Sequence, residues 1–255
     1  GRNNAAFGYF SLSSNTTAAE NAAFGVNSLY LNTTGAKNTA VGTYSLQNNT
    51  TAENNTAVGY RTLYSNTTGT PNTAFGYEAL DANTTGSRNT GLGVGALGAN
   101  TTANDNTAVG YASLLLNTTG LYNTSVGKDA LYNNTTANQN TAVGYQAGYL
   151  NTTGVENTSV GFQAGYSVTT GLANTFVGRS SGTAATGSYN TFVGTSAGGT
   201  ITSGSKNTII GRYSGNQGGL DIRTSSNYIV LSDGDGNPRG YWDGSAWQGF
   251  GGGSY

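Results

Sequence analysis

A glycine returns at the same place in this chain with almost no slippage. The residue closing each A-V-G or A-F-G phrase falls at Gly8, Gly25, Gly42, Gly59, Gly76, Gly93, Gly110, Gly127, Gly144, Gly161 and Gly178, always seventeen residues apart. The next is Gly194, one residue early, and Gly211 restores the period. Thirteen copies of N-T-A-V-G-Y-x-A-L-x-x-N-T-T-G-x-x therefore run through the chain with a single-residue deletion. A period this strict means that each copy is one structural unit stacked on the last.

Each position of the repeat, or slot, has its own rule. Slot 1 is Asn from Asn4 to Asn207, slot 4 is a sizeable apolar residue, and slot 8 is Ala, Ser or Thr. Slot 9 is Leu in eight copies, Leu12 to Leu131, and Gly in the last five, Gly148 to Gly215. Slots 16 and 17 accept Glu20, Lys37, Pro71, Arg88, Asp105, Tyr122 and Glu156, which marks them as solvated.

Seventeen residues are too few for a helix pair, and Gly, Asn and β-branched Thr are poor helix formers. Short alternating segments bounded by Gly and Asn read as strands. The fold class expected is all-β: a parallel β-solenoid, or β-roll, of thirteen ~17-residue coils over residues 1–216. Coils about 4.8 Å apart would make a rod roughly 60 Å long. The expected core ladder is slot 4 with slot 9: Val41, Val58, Val109, Val126, Val143 and Val160, with Leu46 and Leu63. The expected Asn ladder is Asn38, Asn55, Asn72, Asn106, Asn123 and Asn140, whose amides stack and whose backbone tolerates tight corners.

Strand alternation then creates a second burial problem. If slot 4 faces inward, slot 3 faces out, yet slot 3 becomes Phe176, Phe192 and Ile209 in the last three copies. Apolar residues on both faces call for cover on both faces. The reading is a parallel homotrimer with Phe176, Phe192 and Ile209 as the oligomer interface. A wider monomeric coil with two internal layers is the alternative.

Residues 217–255 leave the period. They read as a linker, a β-hairpin of Tyr228–Leu231 and Arg239–Trp242 around D-G-D-G-N, and a Gly-rich end; Trp242 and Trp247 are candidates to cover the last coil. Asp233, Asp235 and Asn237 have the opening spacing of a calcium loop, but the completing Glu is missing, so turn chemistry is expected and no metal. The start at Gly1-Arg2-Asn3, inside a repeat, is read as a piece of a longer chain.

Composition narrows the function. Asn and Thr supply 72 of 255 residues, only 8% are charged, and the chain has neither His nor Cys. That removes the commonest general base and metal ligand, thiolate sites and disulfides. Net charge is −1, against a nucleic-acid partner, and no apolar run suggests membrane insertion. Gly93-x-Gly95-x-x-Gly98 matches a dinucleotide fingerprint only formally, since its glycines occupy ordinary slots without a βαβ context. No cofactor and no catalytic residue is expected, and the chain is read as not an enzyme. Asn-x-Thr/Ser phrases such as those at Asn15, Asn66 and Asn123 are explained by the ladders rather than by glycosylation. Tyr60, Tyr77, Tyr111 and Tyr145 in slot 6 pack coil on coil or serve as candidate glycan contacts.

The phrase N-T-A-V-G-Y-x-A-L…N-T-T-G resembles repeats in bacteriophage tail fibres and bacterial surface fibres. Its N-T-A-V-G core is similar to the S-V-A-I-G phrase of trimeric autotransporter adhesin heads. The segment N-Y-I-V-L-S-D-G-D-G-N-P-R-G-Y-W-D-G-S resembles the junction after such repeats in phage fibres. The resemblance covers about residues 3–245. It implies a trimeric β-roll serving as the shaft or adhesin segment of a fibre, located on a virion or otherwise at a bacterial cell surface, and extracellular. The implied partners are further copies of the chain and a host surface polysaccharide or outer-membrane receptor. An ice-binding β-solenoid is a competing reading, against which the adjacent threonines of N-T-T fall on opposite sides of a strand.

Overall fold

The structure is a computed structural model that describes residues 1–249. It is a parallel β-solenoid of about thirteen turns, with no helix among the described residues. The chain divides into two compact units, Gly1–Thr136 and Ala137–Tyr255, and the division falls between the last slot-9 leucine and the first slot-9 glycine.

In the first unit each coil contributes one three-residue strand: β1 (Ala5–Phe7), β2 (Ala22–Phe24), β3 (Thr39–Val41), β4 (Thr56–Val58), β5 (Thr73–Phe75), β6 (Thr90–Leu92), β7 (Thr107–Val109) and β8 (Thr124–Val126). Each pairs in parallel with the next, slot on slot, so that Thr39 meets Thr56, Ala40 meets Ala57 and Val41 meets Val58. The second unit repeats this with β9 (Thr141–Val143), β10 (Thr158–Val160), β11 (Thr175–Val177), β12 (Thr191–Val193) and β13 (Thr208–Ile210). The deletion falls between Thr186 and Gly187 in the N-T-T-G turn, and the strand register across it is kept, Thr175 on Thr191.

The sheet does not end with each strand. Slot 9 donates its N–H to the slot-8 carbonyl of the following coil, as Leu46 does to Thr62 at 3.0 Å. Slot 13 does the same to the next slot 13, as Thr67 does to Thr84 at 2.9 Å. Each coil is therefore tied to its neighbour on several sides, which satisfies backbone groups that a narrow coil would otherwise bury unpaired.

Four slots take left-handed backbone. The slot-5 glycines have φ of 110–141°, and a Cβ there would lie 2.1–2.7 Å from the carbonyl oxygen of the neighbouring slot-5 residue, so only glycine turns this corner. Slot 7 and slot 17 are also left-handed, and so, unexpectedly, is slot 9: the eight leucines have φ of 47–54°.

The interior overturns the expected core. Slot 3 points inward, with Ala23, Ala40, Ala57, Ala74, Ala108 and Ala142 wholly buried. Slot 4 points outward: Val41 and Val143 are each 37% exposed, and Val58, Val109, Val126 and Val160 are only half-buried on the same face. The coil is too narrow for a branched residue on each wall, so slot-9 leucine from the opposite wall packs onto the small slot-3 residue. A Cβ on Gly91, the slot-3 glycine, would sit 3.3 Å from Leu80 Cγ. Leu46 and Leu63 are fully buried, as core residues should be.

The same geometry corrects the expected oligomer interface. Phe176, Phe192 and Ile209 are fully buried inside the second unit's own core, packed with Val168, Ile201, Tyr213, Ile222 and Val230. Phe176 and Phe192 occupy the volume that slot-9 leucine fills elsewhere: a Cβ on Gly182 would lie 2.5 Å from the Phe176 ring, and one on Gly198 2.3 Å from Phe192. One space is filled from slot 9 in the first unit and largely from slot 3 towards the end of the second.

After Gly215, β14 (Asn216–Gln217) and β15 (Leu220–Asp221) form a small antiparallel pair. The strand β16 (Ile229–Ser232) continues the parallel ladder on β13; β17 (Pro238–Trp242) and β18 (Trp247–Gly249) follow antiparallel. The buried residues at this end are Tyr213, Leu220, Ile222 and Val230, whereas Trp247 is 58% exposed and packs edgewise on Trp242. The last coil is thus not covered by the Trp247 side chain. Residues 250–255 of the Gly-rich end lie outside the described residues.

Candidate functional site

Two asparagine columns hold the coils in register. In slot 1 the side-chain Oδ1 accepts the backbone N–H of the next slot-1 residue: Asn55 N–H to Asn38, Asn72 to Asn55 and Asn123 to Asn106, at 2.8–2.9 Å, and Asn157 to Asn140 at 2.9 Å. The Nδ2 group donates to the slot-15 carbonyl of its own coil, Asn38 to Ala52 and Asn106 to Gly120, both at 2.8 Å. One side chain thus closes its own turn and locks the next. Slot 12 adds an amide-to-amide ladder, Asn49 Nδ2 to Asn32 Oδ1 at 2.7 Å and onward through Asn66, Asn83, Asn100, Asn117 and Asn134. The invariance of slot 1 marks the first column in the sequence, and Asn in slot 12 of the first nine copies is the signal for the second. Asn66 and Asn123 are fully buried, so these Asn-x-Thr/Ser phrases carry ladder amides.

The outward face of the strands is a regular surface in each unit. Slots 2 and 4 share it, with threonine beside an apolar residue from the third coil on and Ala5 and Ala22 in slot 2 of the first two. In the first unit the apolar column runs Phe7, Phe24, Val41, Val58, Phe75, Leu92, Val109 and Val126. Charged side chains are absent from both columns.

Past the slot-5 bend lies the slot-6 column. Tyr60 stacks on Tyr77 with centroids 5.3 Å apart and planes 16° apart; Tyr111 has the Lys128 ammonium 5.6 Å from its centroid. Tyr145 stacks on Phe162 at 5.3 Å and 18°. The structure therefore does not gather the four tyrosines into one platform. The stacked rings turn faces toward each other and leave their rims exposed, which is coil-on-coil packing with an apolar edge open to solvent.

Ion pairs are few. Arg61 bonds Asp81 at 3.2 Å beside Glu78 and lies 4.3 Å from the Tyr64 centroid; burial pushes the Asp81 carboxyl up despite the Arg61 bond. The Gly95 and Gly98 backbone leaves a 260 Å³ notch beside them, lined also by Leu115 and Leu116. In the D-G-D-G-N turn, Asp233 accepts from the N–H groups of Asp235 and Asn237 at 3.0 and 2.9 Å and from Arg239 Nε at 2.9 Å. An arginine and the turn itself occupy the carboxylate, and no group of three or more His, Cys, Asp or Glu could hold a metal among the described residues.

The fold and these columns define a class: a tandem-repeat parallel β-solenoid locked by asparagine ladders. Compared with family models, with curated proteins and with solved structures, the chain matches none.

Proposed function

We propose that this chain is a structural fibre segment, a shaft or adhesin part of a phage tail fibre that serves host attachment, or the equivalent part of a bacterial surface fibre. The observation that carries this reading is the double asparagine ladder, which spends buried polar side chains on coil-to-coil locking rather than on a cleft. Repeated hydrogen bonding on several sides of every coil resists bending and axial slip, the mechanical need of a shaft. A hydrated Asn/Thr surface of low charge limits non-specific adhesion. On this reading the strands β16 to β18 and the β14–β15 pair close the last coil, and the protein sits on a virion or outside a cell.

Self-association belongs to the same proposal, with the interface moved. The slot-2/slot-4 face sets threonines beside an exposed apolar column, is uncharged and repeats at the coil spacing, so a second and third copy present columns of the same period and meet it without losing register. The test is mass in solution: a parallel trimer has three times the 25.9 kDa chain mass, and Val109→Asp with Val126→Asp breaks it. A native monomer at high concentration rejects the oligomer.

A second reading, ice binding, gains one observation: slot-2 threonines and slot-4 valines stand side by side on a regular outward face, a pattern the N-T-T phrase does not reveal. Absence of thermal hysteresis at high concentration removes it.

A further inference from the structure

The slot-6 column changes chemistry within the second unit. It reads Tyr145, Phe162, Arg179, Thr195, Arg212. Phe162 is 43% exposed and stacked on Tyr145, and the Arg179 guanidinium lies 5.7 Å from its centroid. Such a contact holds the cation over the ring before any ligand arrives. Arg212 is exposed and lines a groove of about 440 Å³ with Gly194, Thr195, Gly211, Ser232, Asp233 and Gly234. The one carboxylate in that groove, Asp233, is engaged by Arg239. No other acidic residue occupies slots 5 to 8 of these five coils, whose slot-7 neighbours are Gln146, Gln163, Ser180, Ser196 and Tyr213. On a chain of net charge −1, this is a local strip of positive charge beside exposed aromatic rims. Arg179 and Arg212 are two coils apart, about 10 Å along the axis.

We propose that this strip binds an anionic sugar polymer lying along the coil axis. The guanidinium of Arg179 and that of Arg212 would pair with successive acidic groups. The rims of Tyr145 and Phe162 would pack against sugar C–H faces, and the Thr195 hydroxyl would meet sugar hydroxyls. The acidic group can be a carboxylate or a phosphate, since a guanidinium pairs with either in the same forked geometry. The inference rests on the attachment reading for its biological sense, while the binding itself is a property of the isolated chain.

The experiment uses the full chain with polygalacturonic acid, a phosphate-bearing dextran, unmodified dextran and linear polyphosphate, read by titration calorimetry at two salt concentrations. Arg179→Thr with Arg212→Thr copies the slot-6 threonine that the fold already carries at Thr195, and Phe162→Val copies Val26 and Val94, so the coils should be kept. The expected result is binding of either or both anionic sugar polymers, weaker in high salt, with at least about a tenfold loss in the double arginine variant. Phe162→Val should cost a few-fold. Which anionic polymer binds more tightly assigns the acid. Unmodified dextran binding equally well, or the double variant binding as the parent does, overturns the proposal. So does polyphosphate binding as tightly with Phe162→Val unaltered, because charge alone would then account for it. Mass measured on the same samples separates the two readings: a monomer that still binds the polymer rejects the fibre assembly and leaves this site standing.

Discussion

A slot-1 asparagine does two things that no other side chain of its size does together. Its oxygen takes the next coil's N–H and its nitrogen takes its own coil's slot-15 carbonyl, both buried. Asn106→Ala leaves the Asn123 N–H and the Gly120 carbonyl without these partners, so a loss of about 2–4 kcal/mol is expected in urea unfolding. Val109→Thr, three residues away on the outward face, should cost under about 1 kcal/mol. Equal losses at the two positions would mean that the ladder does not hold the coil. The invariance of slot 1 was legible because a polar residue repeated without exception must be doing something steric or hydrogen-bonded. Its partners were not legible, because they depend on where the turn brings slot 15.

At the scale of the coil, the short strand at slots 2–4 falls where the sequence pattern places one, but its inside and outside were exchanged. The period-two alternation is visible in T-A-V; which parity faces inward is not. Size suggested the valine, and it misled because the opposite wall already supplies a leucine. The slot-9 change from Leu to Gly was visible, and so was the later slot-3 change to Phe. Only the structure shows that both concern one volume. A swap tests this: Gly182→Leu alone should destabilise by about 3 kcal/mol or more through overpacking against Phe176, and adding Phe176→Ala should restore much of it. The Gly182 φ of 59° is close to that of the slot-9 leucines, so backbone strain is not the obstacle. Additive losses in the double variant would show that the two side chains do not share the space.

For the whole molecule, the small number of ionisable groups sets the response to solvent. Hydrogen bonds hold Asp105, Asp221 and Asp243 below the ordinary carboxylate range, Asp243 at about 2 through Ser245 and Ala246. A lowered folded-state value means stability that is complete above the unfolded value near 4 and is lost as pH falls through the folded one. Burial pushes Asp81 the other way, so acid relieves a cost there. With no histidine to titrate between, the unfolding midpoint measured by circular dichroism should stay level from about pH 8 to pH 5 and fall only below about pH 4. A pronounced drop near pH 6 would contradict this account.

The slot-1 ladder also has a direction. Within each unit the slot-1 oxygens accept from the coil that follows, Asn106 from Asn123 in the first and Asn190 from Asn207 in the second, where the Asn207 oxygen in turn takes the Tyr228 N–H. A stack built this way is a vector: one end offers donors, the other acceptors, and a coil set upside down would place acceptor against acceptor. Growth by repeat duplication therefore preserves sense as well as spacing, because each new coil presents to its successor the same half-made bond that it received.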